Sequence, residues 1–291
     1  MDDITKNKCL VCGNASFFER AGVVRDNPEL TIWECRNCGL VRLSSFDHIG
    51  KNYYQESNMH NDRPLDLESW LRETEEDDER RFRQFGALIK NKVVVDFGCG
   101  IGGFLSRAVK IAKRVYGVEL ERRVYPFLER QGISVCPGFG EIREKPDMIF
   151  MFHVLEHIAA PLPLLKEMRR TGARLIVEVP NADDALLTLY ESDAFSRFTY
   201  WSPHLYLYNS FTLPALLKKA GYLPVSVMQF QRYPLSNHLY WLAKGLPGGH
   251  QKWHFLDTPV LNEAYSASLG RLGKCDTLIA EFVPEESEKS C

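Results

Sequence analysis

Apolar residues between positions 93 and 283 fall into seven short runs, most of them separated by segments with helical spacing. Strands that are buried on both faces of a parallel sheet have such continuous apolar sequences. Strands that alternate with helices predict an α/β fold, and the last two runs suit an antiparallel hairpin at the end of the sheet. The predicted strands lie in 93–96, 114–120, 132–138, 148–152, 174–181, 222–230 and 275–283.

Residues 51–90 have a different pattern, in which dense charges alternate with apolar residues in the run LESWLRETEEDDERRFRQFGALI. The latter part predicts one or two amphipathic helices. Its stretch ETEEDDERR is expected to be a solvated helix face with acid–base pairs four residues apart. A further amphipathic helix, SFTLPALLKKAG, is predicted to pack on the sheet and to end at Gly221.

An insertion-like stretch at 231–272 precedes the last predicted strand. It is rich in ring side chains, namely His238, Tyr240, Trp241, His250, Trp253 and His254. Long insertions of this kind are commonly functional. A lid or oligomer contact and a helical flap packed on itself all agree with this sequence, and nothing in it indicates an oligomeric state.

Composition limits the classes of function. The chain has 291 residues, of which 45% are hydrophobic, with a net charge of −2 and a pI near 6.5. Nucleic-acid affinity depends on lysine and arginine that neutralise phosphates, so broad nucleic-acid binding is not expected. No stretch is long and apolar enough for a membrane span, and the polar start MDDITKNKC lacks the apolar core of a signal peptide. We therefore expect a cytoplasmic protein.

Four of the eight cysteines form two knuckles, Cys9-x-x-Cys12-Gly and Cys35-x-x-Cys38-Gly. Such a pair can direct four thiolates at one tetrahedral ion, and zinc is the usual metal. Four thiolates leave no open position for water, so the predicted zinc is structural. Disulfides would be a competing explanation, but they are rare in a reducing compartment. A reduced, metal-free pair of turns remains the alternative. The remaining cysteines, which we expect to be small apolar fillers or a tail residue, are Cys99, Cys136, Cys275 and Cys291.

The sequence VVVDFGCGIGGFL at 93–105 joins a predicted strand to a predicted helix through four glycines. Glycines permit positive φ angles and let backbone N–H groups approach a ligand. Glu119 follows at the end of the second predicted strand, where an acid can bind ribose hydroxyls. Taken alone, the loop is also compatible with a tight turn in which Asp96 only caps the backbone.

The loop D-F-G-C-G, Glu119 and the strand order over 91–283 together resemble the class I S-adenosylmethionine (SAM) methyltransferases. The resemblance implies a Rossmann-like seven-stranded sheet in a catalytic domain at 91–291. A small zinc-ribbon-like module at 1–50 and a helical linker at 51–90 would precede it. SAM is the implied cofactor, with its methionine end oriented by Asp96. The cofactor-binding residues that the resemblance implies are Asp96, Gly98, Gly100, Glu119, Phe139, Gly140, His153 and Leu155.

The segment HVLEHI at 153–158 is similar to a motif of the quinone O-methyltransferases. In some of these enzymes, E-x-x-E-H binds a divalent ion near the acceptor. Here His153 replaces the first glutamate, while Glu156 and His157 remain. A hard ion such as Mg²⁺ prefers carboxylate oxygen to imidazole, so the replacement argues against metal assistance. A purely structural role for Glu156 and His157 stays open.

His204 is the candidate catalytic base. Its segment YWSPHLYLY is similar to Y-H-E-H-x-x-Y-F in sugar C-methyltransferases, which also carry an N-terminal double-CxxC zinc module. His204 corresponds to the proposed base of that motif, whereas Trp201 and Ser202 replace the tyrosine and the first histidine. A histidine with a pKa near 6.5 can accept a hydroxyl proton at neutral pH. Proximity alone also accelerates methyl transfer, so a structural role for His204 remains open.

These features predict SAM-dependent methylation of a small molecule, with a sugar or nucleotide-linked sugar in glycan or natural-product biosynthesis as the expected acceptor. O-methylation is favoured over C-methylation, because the sequence ends before the further C-terminal domain of the sugar C-methyltransferases. An rRNA methyltransferase with a zinc module and a non-catalytic binding subunit with a SAM fold are the alternatives. The residues expected near the acceptor are Glu156, His157, Asn181, Tyr200, Trp201 and Tyr206.

Overall fold

A computed structural model describes residues 8–50, 53–54 and 66–286. Most of the predicted linker before residue 66, and Cys291, lie outside these ranges. The strands are β1 Phe17–Glu19, β2 Ile32–Cys35, β3 Val41–Leu43, β4 Val93–Phe97, β5 Arg114–Val118, β6 Ser134–Cys136, β7 Met148–Phe152, β8 Arg174–Pro180, β9 Tyr206–Leu207, β10 Tyr222–Phe230 and β11 Thr277–Pro284. The α-helices are α1 Leu67–Ile89, α2 Gly103–Ala108, α3 Tyr125–Arg130, α4 Pro161–Arg170, α5 Ala185–Thr188, α6 Asp193–Thr199, α7 Thr212–Lys219, α8 Leu235–Lys244, α9 Gly249–Lys252 and α10 Pro259–Leu272.

Seven strands form one twisted sheet in the order β10-β11-β8-β7-β4-β5-β6. The five strands from β6 to β8 are parallel, and β11 and β10 complete the sheet as an antiparallel hairpin. This arrangement confirms the predicted α/β fold with a Rossmann-like seven-stranded sheet. The chain order reverses between β4 and β7, and open α/β sheets bind ligands at the carboxyl ends of the strands at such a point.

Helix α1 is a single helix that covers one face of this sheet. It begins at an N-cap in which the Asp66 carboxylate accepts a hydrogen bond from the Ser69 N–H. Near its other end Phe85 packs against Phe150 of β7, with ring centroids 5.5 Å apart. Phe104 of α2 joins the same cluster, 5.0 Å from Phe150. The apolar stripe of α1 therefore belongs to the core beneath the central strands.

The charged run of α1 is not uniformly solvated, and that prediction was wrong for its centre. Asp78 is 6% exposed and Arg81 is 8% exposed. Buried charges persist when they are paired, and the Arg81 Nη2 atom lies 2.6 Å from Glu178 Oε1 in β8. The i,i+3 and i,i+4 spacing of the charges predicts ion pairs within the helix. It does not show that Arg81 also pairs with Glu178 in a strand that is distant in sequence.

The N-terminal strands form a second, four-stranded antiparallel sheet in the order β1-β2-β3-β9. Its last strand comes from far along the chain, and Val41 pairs with Leu207 while Arg42 pairs with Tyr206. The cysteine-bearing module and the segment that follows His204 therefore share one sheet. The predicted boundaries at residues 50 and 90 stay a prediction.

The insertion at 231–272 contains α8, α9 and α10 between the last two strands of the large sheet. Several of its rings face one another, as Tyr240 and Trp253 do with centroids 5.0 Å apart. His238 Nδ1 lies 2.7 Å from the Tyr265 hydroxyl, inside the same unit. These contacts agree with a helical flap packed on itself. No helix within the described ranges is long and apolar enough to cross a membrane.

Candidate active site

A cleft of about 520 Å³ opens at the carboxyl ends of β4, β5 and β7. A smaller cavity of about 270 Å³ adjoins it on the side of α1. Four residues line both spaces, namely Trp70, Gly98, Gly100 and His153. The two cavities therefore form one elongated binding region across the point where the strand order reverses, as expected for a ligand site in an open α/β sheet.

Glu119 holds the glycine loop against the end of β5. Its Oε2 atom accepts a hydrogen bond from the Gly100 N–H at 2.8 Å. Its Oε1 atom accepts from the N–H groups of Leu120 at 2.7 Å and Glu121 at 2.9 Å. The Oε2 atom has a further lone pair, so Glu119 can still accept a hydroxyl hydrogen bond from the cleft that it lines.

Gly98 is one of the positions where the loop requires glycine. Its φ is +77°, and a Cβ atom there would lie 2.4 Å from Val154 Cγ2. Its N–H donates to the Val118 carbonyl at 2.7 Å, which fixes the loop beside β5. A side chain at this position is excluded by both backbone conformation and space.

Asp96 is the last residue but one of β4 and lines the smaller cavity. It is buried, and among the described residues its Oδ1 atom has no hydrogen-bond partner. Burial raises the pKa of Asp96 to about 8. A cationic group of a ligand would relieve this cost, because it offers the carboxylate the charge-assisted hydrogen bond that the protein does not.

A buried charged network supports the floor of the smaller cavity. Glu178 of β8 is 0% exposed, and both its oxygens lie 2.9 Å from Arg80 Nη2. The His153 Nε2 atom lies 3.2 Å from Glu178 Oε1. Burial opposes ionisation of Glu178, but His153 and Arg81 hold the pKa of this carboxyl well below its usual range. Arg232 of the insertion also lines this cavity and forms an ion pair with Asp77.

This network was not predicted from the sequence. One signal was available, because Glu178 interrupts the apolar strand sequence RLIVEVP, and a carboxylate in a buried strand requires a partner. The partner itself could not be identified, since Arg80 and Arg81 lie 98 and 97 residues away in sequence.

A second polar cluster adjoins the cleft, which one of its members, His157, lines. Glu156, His157 and His204 have ligand atoms that all lie within 4.8 Å of one another. The rings of His157 and His204 are 4.8 Å apart by their centroids and nearly perpendicular. The loop of His204 is held there because the Leu205 N–H donates to the Glu156 carbonyl at 2.8 Å. The structure thus brings together three predicted residues from two distant motifs.

The environment of His204 differs from the one that we expected for a base. Burial, and then the neighbouring His157, lowers the pKa of His204 to about 3, whereas the sequence argument used an ordinary value near 6.5. The ring is therefore neutral at pH 7 and is a weak proton acceptor. Proton abstraction from a hydroxyl gains little from such a group.

Several other predicted residues do not line either cavity. Asn181 is held by structural hydrogen bonds, donating from Nδ2 to the Cys275 carbonyl at 2.7 Å. Tyr206 is buried in the small sheet and donates to the Ala159 carbonyl at 3.2 Å. The core contains Phe139, Leu155, Tyr200 and Tyr206, whereas Gly140 is exposed, and none of these residues lines either of the two cavities.

Trp201 is near the polar cluster but not in the cleft lining. Its ring centroid is 5.5 Å from that of His204 and 6.4 Å from that of His157. Tyr54 does line the cleft, and its hydroxyl donates to the His157 carbonyl at 3.2 Å. His157 and Tyr54 therefore line one side of the cleft, whereas Trp201 and His204 pack near His157 without lining it.

The four N-terminal cysteines form a compact cluster. The Sγ atoms of Cys9 and Cys38 are 3.4 Å apart, and those of Cys12 and Cys35 are 3.5 Å apart. All four sulfurs lie within 4.8 Å of one another. A tetrahedral zinc ion with bonds of about 2.3 Å places its sulfur ligands roughly 3.8 Å apart. The cluster therefore fits the predicted ion.

Comparison with known proteins agrees with this geometry. The family model for a methyltransferase domain matches residues 70–227, which is more than half of the chain. A SAM-dependent methyltransferase from Thermotoga maritima, described as a possible histamine N-methyltransferase, is 19% identical with a TM-score of 0.50. That match covers 79% of this chain and 98% of that one.

The magnesium protoporphyrin IX methyltransferase from Synechocystis, solved with bound S-adenosylhomocysteine, is 12% identical with a TM-score of 0.50. The match covers 81% of this chain and 98% of that one. No curated protein matches the sequence. The structural neighbours support the fold, and the family match supports the class of enzyme. The chain belongs to the methyltransferase-domain family and is a SAM-dependent methyltransferase.

Proposed function

We infer that SAM binds along the two adjoining cavities, with its ribose at Glu119 and its methionine end at Asp96. The observation that carries this proposal is the position of the two carboxylates. Glu119 lines the larger cavity and Asp96 lines the smaller one, while Gly98 and Gly100 line both. The Glu119 carboxylate retains a lone pair for a ribose hydroxyl, and the Asp96 carboxylate suits an ammonium group, and these groups belong to the two polar parts of this cofactor.

When bound, SAM supplies an electrophilic sulfonium methyl group. The protein contributes mainly position, since alignment of an acceptor oxygen with a methyl carbon can lower the barrier by several kcal/mol. His153 lines both cavities and has a left-handed backbone conformation with φ of +55°. His157 and Tyr54 line the side where an acceptor can enter.

We propose a small-molecule acceptor, with a sugar or a nucleotide-linked sugar as the first class to test and oxygen as the methylated atom. A cleft of about 520 Å³ falls within the range of roughly 300–1,000 Å³ that is usual for small-molecule pockets. The net charge of −2 gives no support to a polyanionic acceptor. His204 is proposed to act on the acceptor side, and the four-cysteine cluster is proposed to hold a structural zinc ion.

The test is calorimetric titration of the zinc-assayed protein with SAM and with S-adenosylhomocysteine, followed by a panel of nucleotide-linked sugars. We expect micromolar cofactor binding and a change in cofactor affinity when the correct acceptor is present. Transfer of a radiolabelled methyl group to that acceptor would identify the product. Absence of cofactor binding by the folded protein would overturn the proposal and favour a non-catalytic binding subunit.

A further inference from the structure

We propose that Glu156, His157 and His204 form a binding site for one divalent transition-metal ion at the acceptor end of the cleft. The three ligand atoms lie within 4.8 Å of one another. Two ligands on one ion with bonds of about 2.0–2.2 Å lie roughly 3–4 Å apart, so small side-chain rotations would complete the site. This site is separate from the four-cysteine cluster of the N-terminal module.

The Glu156 carboxylate is the main observation behind this assignment. Glu156 is 0% exposed, and within the described residues neither of its oxygens has a hydrogen-bond partner. Its nearest charged neighbour is His153, whose Nδ1 atom lies 3.4 Å from Glu156 Oε1. A buried carboxylate without hydrogen bonds is costly, and His153 offsets only part of this cost because its ring also contacts the Glu178 carboxylate. The nearby arginines, Arg80 and Arg81, are engaged by Glu178 and not by Glu156.

The His157 ring gives an independent indication. Its Nδ1 atom is buried and has no hydrogen-bond partner among the described residues. The ring also hydrogen-bonds to the backbone of Pro203. A ring fixed through one nitrogen presents the other as a lone pair, which is the usual arrangement of a histidine that binds a metal.

The composition of the ligand set indicates which ions fit. Two imidazoles and one carboxylate suit zinc and its neighbours in the first transition row, whereas Mg²⁺ prefers oxygen ligands. Three protein ligands also leave coordination positions open, as they do in catalytic metal sites. His153 would act by orienting the Glu156 carboxylate, since it contacts this group and Glu178 together.

The position of the site suggests what the ion would bind. His157 lines the cleft, so an open coordination position would face the space that we assign to the acceptor. If the proposed function holds, an acceptor hydroxyl bound to the ion would release its proton to solvent more readily, because a Lewis acid lowers the pKa of bound oxygen. Its oxygen would then form a bond to the methyl carbon of SAM while the sulfur–methyl bond breaks and S-adenosylhomocysteine leaves. This favours an acceptor with two neighbouring oxygens that can both reach the ion, such as a vicinal diol or a hydroxyketone.

The experiment is an equilibrium Zn²⁺ titration of the full chain, with bound metal counted by mass spectrometry. We expect two equivalents for the wild type and one for each of Glu156→Gln and His204→Asn. The matched control is His254→Asn, a histidine on the exposed surface of the insertion, which should retain two. One equivalent in the wild type, or a second equivalent that persists in both site variants, would overturn the proposal.

A spectroscopic measurement on the wild type avoids dependence on variant folding. Co²⁺ added to protein whose cysteine cluster already holds zinc should give visible d–d bands without thiolate-to-metal charge transfer. Charge-transfer bands alone, or no bands, would contradict the site. Calorimetry with SAM on the same samples keeps the two proposals apart. Cofactor binding without a second metal overturns only the metal site, and a second metal without cofactor binding overturns only the assignment of the cleft.

Discussion

Glu119 shows how one side chain can serve both the loop and the ligand. Its carboxylate accepts three backbone N–H groups, one of them from Gly100, so it shapes the glycine loop as well as lining the cleft. An effect of mutation on cofactor binding could therefore arise from either role. Two variants are needed to separate them.

We expect Glu119→Ala to weaken SAM binding by about 10- to 100-fold, which corresponds to the 1.5–3 kcal/mol of a hydrogen bond to a charged group. Glu119→Gln keeps an oxygen for the Gly100 N–H and should lose less. Calorimetric affinities for SAM measure both. Glu129→Ala, at an exposed position on α3, is the control and should bind as the wild type does. Unchanged affinity in Glu119→Ala would remove the ribose assignment.

The buried Asp96 carboxylate lowers the stability of the cofactor-free protein. The pKa of Asp96 is about 8 in the folded protein because of burial, compared with 3.8 as its ordinary value. The unfolded chain releases this proton at lower pH than the folded chain does. The contribution of Asp96 to stability therefore decreases as the pH rises from about 4 to about 8.

We predict that Asp96→Asn raises the Tm of the cofactor-free protein at pH 8 by about 2–4 °C, or about 1 kcal/mol, and has a smaller effect at pH 5. The same variant should bind SAM more weakly, because a neutral amide oxygen can accept a hydrogen bond from an ammonium group but cannot form an ion pair with it. Thermal unfolding at both pH values, with and without SAM, measures the two effects. A lower Tm at pH 8 would show that the carboxylate is not destabilising.

At the scale of elements, the turns between strands and helices depend on glycine for reasons that differ from one turn to another. Gly98 combines a positive φ with a close approach to Val154. Gly132, in the turn before β6, also has a positive φ of +78°, but the nearest atom to a Cβ there is Val109 Cγ2 at 3.7 Å. An alanine would therefore have a strained backbone at both positions, but its Cβ atom would clash with a neighbour only at position 98.

Gly132→Ala should therefore cost about 1–2 kcal/mol from the left-handed conformation alone. Gly98→Ala should cost about 1–3 kcal/mol more from the clash with Val154, and it should also reduce SAM affinity because the loop must move. Chemical denaturation and SAM titration of both variants provide the measurement. Equal losses of stability, with SAM affinity intact in Gly98→Ala, would contradict this account of the loop.

At the scale of the whole molecule, the N-terminal module holds the segment around His204. The Asp26 carboxylate accepts hydrogen bonds from the Ser202 N–H at 2.9 Å and the Ser202 hydroxyl at 2.7 Å. The His48 ring donates to the Ser202 carbonyl at 2.7 Å. Together with the pairing of β9 and β3, these bonds connect the cysteine cluster to the acceptor side of the cleft.

We predict that Cys35→Ser loses the proposed zinc ion and exposes residues 200–208 to hydrogen exchange, while SAM affinity changes by less than about threefold. The reason is that the cofactor residues lie on the large sheet, whereas β9 belongs to the small one. Metal analysis, exchange mass spectrometry and SAM titration test this. Cys275→Ser, a buried cysteine outside the cluster, is the control and should retain the metal. Unaltered exchange at 200–208 would show that the module does not position this segment.

The sequence by itself determined the α/β fold, the order of the strands, the glycine loop and the pairing of the two cysteine knuckles. Each of these depends on residues close together in the chain, such as the apolar run of β4 or the spacing of Cys9 and Cys12. Burial on both faces of a strand and the conformational freedom of glycine leave local signals of this kind.

Only the tertiary structure decided which side chains meet. It placed Glu178 against Arg81 across 97 residues, joined β9 to the N-terminal sheet, and set His204 beside Glu156. It also separated Asn181 from the cleft, although this residue follows a strand end. The physical reason is that partners of buried polar groups are selected by packing between distant segments. The sequence therefore showed which chemical groups are available, and long-range packing determined which of them face the ligand.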